Sequence, residues 1–137
     1  MKLKESITKN LNINKIEELR QSVGWSRRRS DKKWEEVLSK SSFVYSVWDE
    51  DKLIGMGRIL EDGVMCMFYD IGVAPASQGQ GLGRQIMNNL ISRVKDKEYA
   101  SIGLFPWEPN PTNVPFYEAF GFELVRGMEL VKYMKRE

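Results

Sequence analysis

The sequence predicts a single mixed α+β domain built on an open, mostly antiparallel sheet. Two stretches near the start have helical apolar spacing, the stretch from Phe43 to Val73 alternates like consecutive strands, and a glycine-rich turn then leads into another helical stretch. At 137 residues the chain is long enough to bury one core without disulfides. We expect one domain over 1–137, with six to seven strands and about four helices.

The N-terminal third of the chain is expected to hold a short strand and two helices. Apolar residues alternate loosely over 3–11, which predicts the strand. Asn14 and Glu17 have the spacing of a capping box and Gly24 is a typical helix terminator, so a helix is expected over 15–23. A second helical pattern covers 31–40 and places Trp34 on its inner face.

The middle of the chain has the pattern of an antiparallel meander. Strands are expected over 43–48, 53–60 and 64–73, separated by an acidic turn and by Asp62-Gly63. Glycine weakens a strand interior, so Gly55 and Gly57 indicate a bulge or a close approach of another element.

The remaining chain alternates helix and strand. We expect a helix over 82–95, a continuously apolar strand covered on both faces over 100–105, and an irregular proline-rich segment. Asn113 and Gly121 then delimit a short helix over 114–120. Two further strands are expected over 122–125 and 129–134.

Composition and charge argue against several function classes. The 21 basic and 19 acidic residues leave a net charge of +2, too little to indicate a nucleic-acid partner. There is no histidine, so neither a metal site nor a Ser-His-Asp triad is expected. Cys66 lies in an apolar strand and is expected to be a buried, unreactive thiol. With no membrane-length apolar run and no secretion signal, a cytoplasmic protein is expected.

A glycine-rich turn is the strongest functional signal. Gly79, Gly81 and Gly83 precede a helix, and the N–H groups at a helix N-terminus bind phosphate. A P-loop is excluded because Gly83 is followed by Arg84 and Gln85 instead of Lys and Ser or Thr. The dinucleotide fingerprint is disfavoured because Arg84 stands where its third glycine is required.

Two spaced motifs carry a family resemblance. The loop reads Gln-x-x-Gly-x-Gly from Gln78, which is similar to the pyrophosphate loop of the GNAT superfamily of N-acetyltransferases. From Asn110 to Phe122 the chain also matches that family's Asn-x6-Tyr-x3-Gly-Phe pattern. The resemblance extends over residues 53–122, and the two motifs occur in the family's order.

The resemblance implies a V-shaped mixed sheet that binds acetyl-CoA as co-substrate. By this analogy the end of strand 64–73 pairs with the pantetheine arm, and the glycine-rich loop holds the pyrophosphate. An exposed strand edge suits the two amides of pantetheine, and converging N–H donors suit a pyrophosphate. The implied co-substrate-binding residues are Ile71, Gly72, Val73, Gln78, Gly79, Gln80, Gly81, Leu82, Gly83, Arg84, Asn110 and Tyr117.

For catalysis the resemblance implies direct transfer of an acetyl group to a primary amine. Tyr117 would donate to the coenzyme A sulfur, a task that suits a phenol because its usual pKa of about 10 keeps it protonated at neutral pH. The alternative for Tyr117 is packing beneath Phe122. The backbone N–H of Val73 would contact the carbonyl oxygen.

The general base is not identified by motif. Phe105 occupies the position of a glutamate that some family members use. Asp70 is the nearest carboxylate and a candidate catalytic residue, with a structural or water-holding role as the alternative; without a bulge, only one of Tyr69 and Asp70 can face the cleft. Glu61 and Glu108 are further candidates, and a water chain to solvent could suffice.

The expected acceptor is a small-molecule amine, with a protein or peptide amine second. Acidic residues such as Asp70 and Glu108 favour a cationic amine, whereas the basic run 27–29 is either a solvated loop or an anion clamp. An arylalkylamine would suit the aromatic side chains of Trp25, Trp34 and Trp107, of which the first two could instead be core residues.

A different class of function stays open. Because Phe105 replaces the glutamate, the chain could be a non-catalytic acyl-CoA sensor or interaction module. Neither a nucleic-acid nor a membrane partner is expected, and a homodimer is left open.

Overall fold

Residues 3–25, 27–106 and 111–124 are described by a computed structural model of the chain. The chain divides into two compact units, Met1–Phe105 and Pro106–Glu137. None of the helices within the described ranges is long and apolar enough to cross a membrane. The prediction of one domain stays a prediction.

The first unit holds a mixed five-stranded sheet whose strands follow each other in chain order. Strands β1 to β4 are antiparallel neighbours, and β4 and β5 are parallel. The elements of this unit are β1 (Leu3–Ser6), α1 (Ile13–Ser22), α2 (Asp31–Lys40), β2 (Phe43–Asp49), β3 (Lys52–Glu61), β4 (Met65–Val73), a short 3-10 helix (Pro75–Ser77), α3 (Leu82–Val94) and β5 (Ser101–Leu104).

In the second unit the described residues form α4 (Asn113–Glu118). The mixed α+β class is therefore confirmed, with five strands and four α-helices in the described ranges. Six to seven strands are not confirmed. Residues 122–124 of the predicted sixth strand have no regular secondary structure, and the remainder of that strand and the seventh lie outside the described residues.

Local capping explains where the first two helices begin. Asn12, not Asn14, caps α1 by accepting a hydrogen bond from the Lys15 N–H at 3.3 Å, so the helix begins earlier than predicted. Ser30 caps α2 in the same way by accepting from the Lys33 N–H at 3.1 Å. The bounds of α2 are those predicted from the sequence.

The two strand glycines allow α3 to pack closely on the sheet. A Cβ added at Gly57 would lie 2.9 Å from Ile86 Cγ2 and 3.0 Å from Leu90 Cδ1, and one at Gly55 would lie 3.0 Å from Ile86 Cδ1. Ile86 and Leu90 are fully buried. The predicted close approach is therefore present at both glycines, whereas at the β3–β4 register shift between Met56 and Arg58 the extra residue lies on β4.

Gly57→Ala is expected to lower the free energy of unfolding by about 1–3 kcal/mol, because the new methyl overpacks the α3 interface. Urea denaturation measures this change. In a double-mutant cycle the cost of Gly57→Ala should shrink when Ile86→Ala removes the obstructing methyl group. An equal cost in both backgrounds would contradict the packing explanation.

Strand β5 differs from the prediction of a strand covered on both faces. Within the described ranges it pairs with β4 over Met65–Phe68, and Ser101 and Ile102 are exposed. Its apolar composition therefore does not reflect burial in this part of the chain.

Candidate functional site

Strand β4 leaves β5 halfway along its length, so within the described ranges one edge of its second half has no paired strand. Pairing with β5 ends at Phe68, whereas pairing with β3 continues to Val73. Because the Ala74 N–H donates to the Ile54 carbonyl at 2.8 Å, ladder alternation directs the Val73 N–H away from β3. An extended ligand carrying amides could pair with this edge, as predicted for residues 71–73.

The glycine-rich turn follows this edge and has the backbone geometry of an anion site. Gly79 and Gly81 have φ angles of +80° and +82°, which disfavour residues with a side chain. A Cβ at either glycine would meet nothing within 4 Å, so the space above the turn is open. Gly81 is the N-cap of α3 and has no side-chain capping bond. The residues present thus fit a phosphate group at the N-terminus of a 13-residue helix.

The other predicted loop residues have distinct environments. Gln78 directs its side chain back to the strand, where Nε2 donates to the Val73 carbonyl at 3.0 Å. This bond holds the turn against the end of β4. Leu82 is buried and anchors the first turn of α3 in the core, while Gln80 and Arg84 are exposed and Gly83 is half-buried.

A bulge in β4 brings two neighbouring side chains to one face of the sheet. Met56 pairs with Gly72 and Arg58 pairs with Tyr69, so one extra β4 residue lies between these pairs, and Asp70 has a φ of +52°. Tyr69 lies under the Arg58 guanidinium at 4.8 Å, and Asp70 is hydrogen-bonded to the same side chain. Both side chains therefore reach the Arg58 face, which strict alternation would not allow.

Asp70 is held by two arginines in a largely buried ion cluster. Its Oδ2 accepts from Arg58 Nε at 2.7 Å and from Arg29 Nη1 at 2.9 Å, and its side chain is 8% exposed. Burial alone would raise the pKa of Asp70, but the Arg29 hydrogen bond and the two positive charges outweigh it and hold this pKa below its usual value. These contacts favour the structural alternative over a base, and the catalytic role of Asp70 stays a prediction.

The two N-terminal tryptophans have different surroundings. Trp34 is fully buried, and its Nε1 donates to Glu17 Oε2 at 2.7 Å, so it is a core residue. Trp25 is half-buried and lies over the β4 backbone, where a Cβ at Gly72 would be 3.1 Å from its ring. Arg20 lies 5.9 Å from both rings and donates to Glu17 Oε2 at 2.9 Å. Trp25 thus lies on one face of the second half of β4.

A second polar network fixes the first turn of α3. Gln85 Nε2 donates to the Tyr45 hydroxyl at 2.7 Å and to Glu5 Oε1 at 3.1 Å, and the Tyr45 hydroxyl donates to the same carboxylate. Burial, with the Glu5 carboxylate as acceptor, raises the pKa of Tyr45 to about 12. The three residues are far apart in the chain, so no local pattern indicated this network.

In the second unit, Tyr117 is a buried residue of α4. Its ring makes edge contacts with Phe116 at 5.1 Å and with Phe122 at 6.4 Å between centroids. Burial raises the pKa of Tyr117 to about 12, which keeps the phenol protonated at neutral pH. Asn110, Trp107 and Glu108 lie outside the described residues.

The remaining candidates have simple environments. Phe105 is 67% exposed, and Glu61 accepts a hydrogen bond from the Gly63 N–H in a turn. Cys66 is fully buried, and burial raises the pKa of its thiol, as expected for an unreactive cysteine. Among the described residues, no three His, Cys, Asp or Glu side chains could together hold a metal ion.

Comparison with known proteins identifies the family. The model of the "Acetyltransferase (GNAT) family" matches residues 10–122. The chain belongs to the GNAT family. Its fold agrees: the GNAT chain superposes on SA2161 of meticillin-resistant Staphylococcus aureus, described as a protein of unknown function and "Probable Acetyltransferase", with a TM-score of 0.85 and 26% identity over 98% of this chain and 100% of the other.

Two curated GNAT relatives are similar to this chain over most of its length. An uncharacterized N-acetyltransferase, ycf52 of Porphyra purpurea, is 34% identical over 122 residues, which are 85% of this chain and 68% of the relative. Serotonin N-acetyltransferase 2, chloroplastic, of Oryza sativa subsp. japonica is 30% identical over 130 residues, 86% of this chain and 62% of that protein. Since the rice protein is named as chloroplastic, the cytoplasmic location of this GNAT chain stays a prediction.

Proposed function

We propose that this GNAT domain moves the acetyl group of acetyl-CoA directly to a primary amine of a small molecule. The observation that carries the proposal is that the open edge of β4 leads directly to the N-terminus of α3, which has no side-chain cap. The hydrogen bond from Gln78 to the Val73 carbonyl connects the two. A strand edge and an anion site in sequence suit a ligand with amides at one end and phosphates at the other.

Binding would use mainly backbone groups. Residues 71–73 would pair with the pantetheine amides along the open edge, and the loop 78–84 would hold the pyrophosphate through its N–H groups and the helix dipole. By motif position, Asn110 would add a side-chain hydrogen bond to the co-substrate. The described side chains of the loop are largely exposed or turned inward, which is consistent with recognition by the backbone.

The bound thioester supplies the activated acetyl group, and the protein assists its transfer. The Val73 N–H would donate to the carbonyl oxygen as negative charge develops there. As the carbon–nitrogen bond forms and the carbon–sulfur bond breaks, Tyr117 would donate its proton to the sulfur. The amine would lose its proton to water, and water would return a proton to the Tyr117 phenolate. The pKa of Tyr117, which burial raises to about 12, keeps the phenol protonated at neutral pH, so its O–H is available to the sulfur.

Tyr117→Phe is expected to lower kcat by about 10²–10⁴-fold, the usual contribution of a positioned acid, with little change in coenzyme A affinity. Thiol release measures kcat, and calorimetry measures the affinity. Tyr99 is a suitable control because it precedes Ala100, whose N–H donates to the carbonyl of Val64, nine residues before Val73. Tyr99→Phe should leave kcat and the affinity unchanged. Unchanged turnover in Tyr117→Phe would exclude Tyr117 as the acid.

The same assay separates an enzyme from an acyl-CoA sensor. A panel of primary amines should give thiol release that depends on the amine. Binding of acetyl-CoA without turnover of any amine would favour the sensor, which the loss of the glutamate at Phe105 suggests.

A further inference from the structure

We infer that the acceptor carries a carboxylate in addition to its amine, and that Arg29 binds this carboxylate. The inference rests on the proposed function and names the substrate class of the same site. All residues that support it lie in the first unit, around the β4 bulge.

Arg29 is fixed in place but incompletely used. Its Nη1 donates to Asp70 at 2.9 Å, and its guanidinium lies 4.7 Å above the ring of Trp34. The described part of the chain offers no acceptor to its Nε or Nη2, and its side chain is 30% exposed. A guanidinium immobilised on one side, with donors remaining on the other, is suited to a carboxylate because little side-chain entropy is lost on binding.

Asp70 cannot attract a cationic acceptor as the sequence suggested. Both Arg29 and Arg58 donate to its Oδ2, so its negative charge is more than compensated locally. The argument for a cationic amine named two carboxylates, Asp70 and Glu108. Asp70 no longer supports it, and Glu108 lies outside the described residues.

The charge around the bulge is positive. Arg29 and Arg58 both donate to Asp70, and the neighbouring Arg20 is paired with Glu17, so three basic and two acidic groups leave +1. A positive environment attracts a carboxylate and lowers the pKa of a nearby amine. The lowered pKa favours the neutral form of the amine, which is the form that attacks. This matters because no general base has been identified.

The geometry also limits the spacing within the acceptor. Asp70, which holds Arg29, lies three residues before Val73, and a strand rises by about 3.3 Å per residue. Trp25 covers Gly72 between these positions and offers an apolar wall to the linking atoms. An acceptor whose amine and carboxylate are separated by several methylenes matches this arrangement better than an α-amino acid.

The test uses the wild-type protein and compares pairs of acceptors of matched length. Probes are ω-amino acids with two to six methylenes and the alkylamines of equal length, each assayed by thiol release with acetyl-CoA. We expect kcat/KM to be at least about tenfold higher for the best ω-amino acid than for its alkylamine, the usual effect of a hydrogen bond to a charged group. Equal values at every length would overturn the inference and leave the proposed function intact, whereas no turnover of any amine would overturn both.

Variants test the assignment to Arg29. Arg29→Gln should remove the preference for the ω-amino acid, and Arg29→Lys, which keeps the charge beside Asp70, should reduce it because the fork is lost. Arg93→Gln is the charge-matched control and should keep the preference. Arg93 is on α3, and its guanidinium lies over the ring of Phe43 on β2. Urea unfolding and coenzyme A affinity show that each variant is folded. A full preference in folded Arg29→Gln would contradict the assignment.

Discussion

Gly81→Val is expected to abolish most of the affinity for coenzyme A. At a φ of +82° a β-branched residue is strained by about 1–2 kcal/mol or more, so the backbone at the start of α3 will rearrange. Each hydrogen bond lost to a charged phosphate group costs about 1.5–3 kcal/mol, which corresponds to about a tenfold to hundredfold weaker affinity. Isothermal titration calorimetry with coenzyme A measures this loss.

Gly63→Val is a matched control for the same experiment. Gly63 has a φ of +92° and open space around its Cβ position, as Gly81 does, but it lies in the β3–β4 turn. Both variants should lose a similar free energy of unfolding, and only Gly81→Val should lose coenzyme A affinity. If both variants bind coenzyme A like the wild type, the glycine-rich turn before α3 does not hold the phosphate.

Asp70→Asn is expected to lower the free energy of unfolding by about 3–5 kcal/mol at about pH 7, because it leaves two guanidinium groups without their buried counter-charge. Urea denaturation measures this loss. The control is Asp51→Asn, in which a 90% exposed carboxylate loses a 3.8 Å contact with Lys15 and the expected change is about 0.5 kcal/mol or less. A similar small change for Asp70→Asn would show that the cluster contributes little to stability.

The effect of Asp70 should depend on pH in one direction. Its pKa is lower in the folded state than in the unfolded chain, so its stabilisation is present above the unfolded pKa of about 3.9 and is lost as the pH falls through the folded value. The stabilities of wild type and Asp70→Asn should therefore approach each other below about pH 4. A difference that stays constant from about pH 7 to pH 3 would contradict this linkage.

Features that depend on local chemistry were predicted well. The bounds of α2 follow from a periodic apolar face, and the turn at the start of α3 follows from three glycines placed before a helical pattern. The close approach at Gly57 was also indicated, because a glycine inside a strand requires such a reason.

Features that depend on contacts distant in the chain were not predicted. Glu17 was assigned to a capping box, yet it is buried and pairs with Arg20 and Trp34. Arg29 belonged to a basic run with two interpretations, and only the fold brings it to Asp70, 41 positions away. A charge pattern shows which residues can pair, but the partner depends on how helices and strands are arranged.

The side chain of Gln85 has a consequence for the mechanics of α3. The Gln85 N–H donates to the Gly81 carbonyl at 3.0 Å in the first turn of the helix, and its amide is tied to Tyr45 on β2 and Glu5 on β1. Apolar packing against Gly55 and Gly57 sets how closely the helix lies on the sheet, and the hydrogen bonds of the Gln85 amide add a directional restraint. These hydrogen bonds oppose rotation of the helix about its axis. The direction of the N–H groups in its first turn therefore depends on a carboxylate of β1, the strand at the edge of the described sheet.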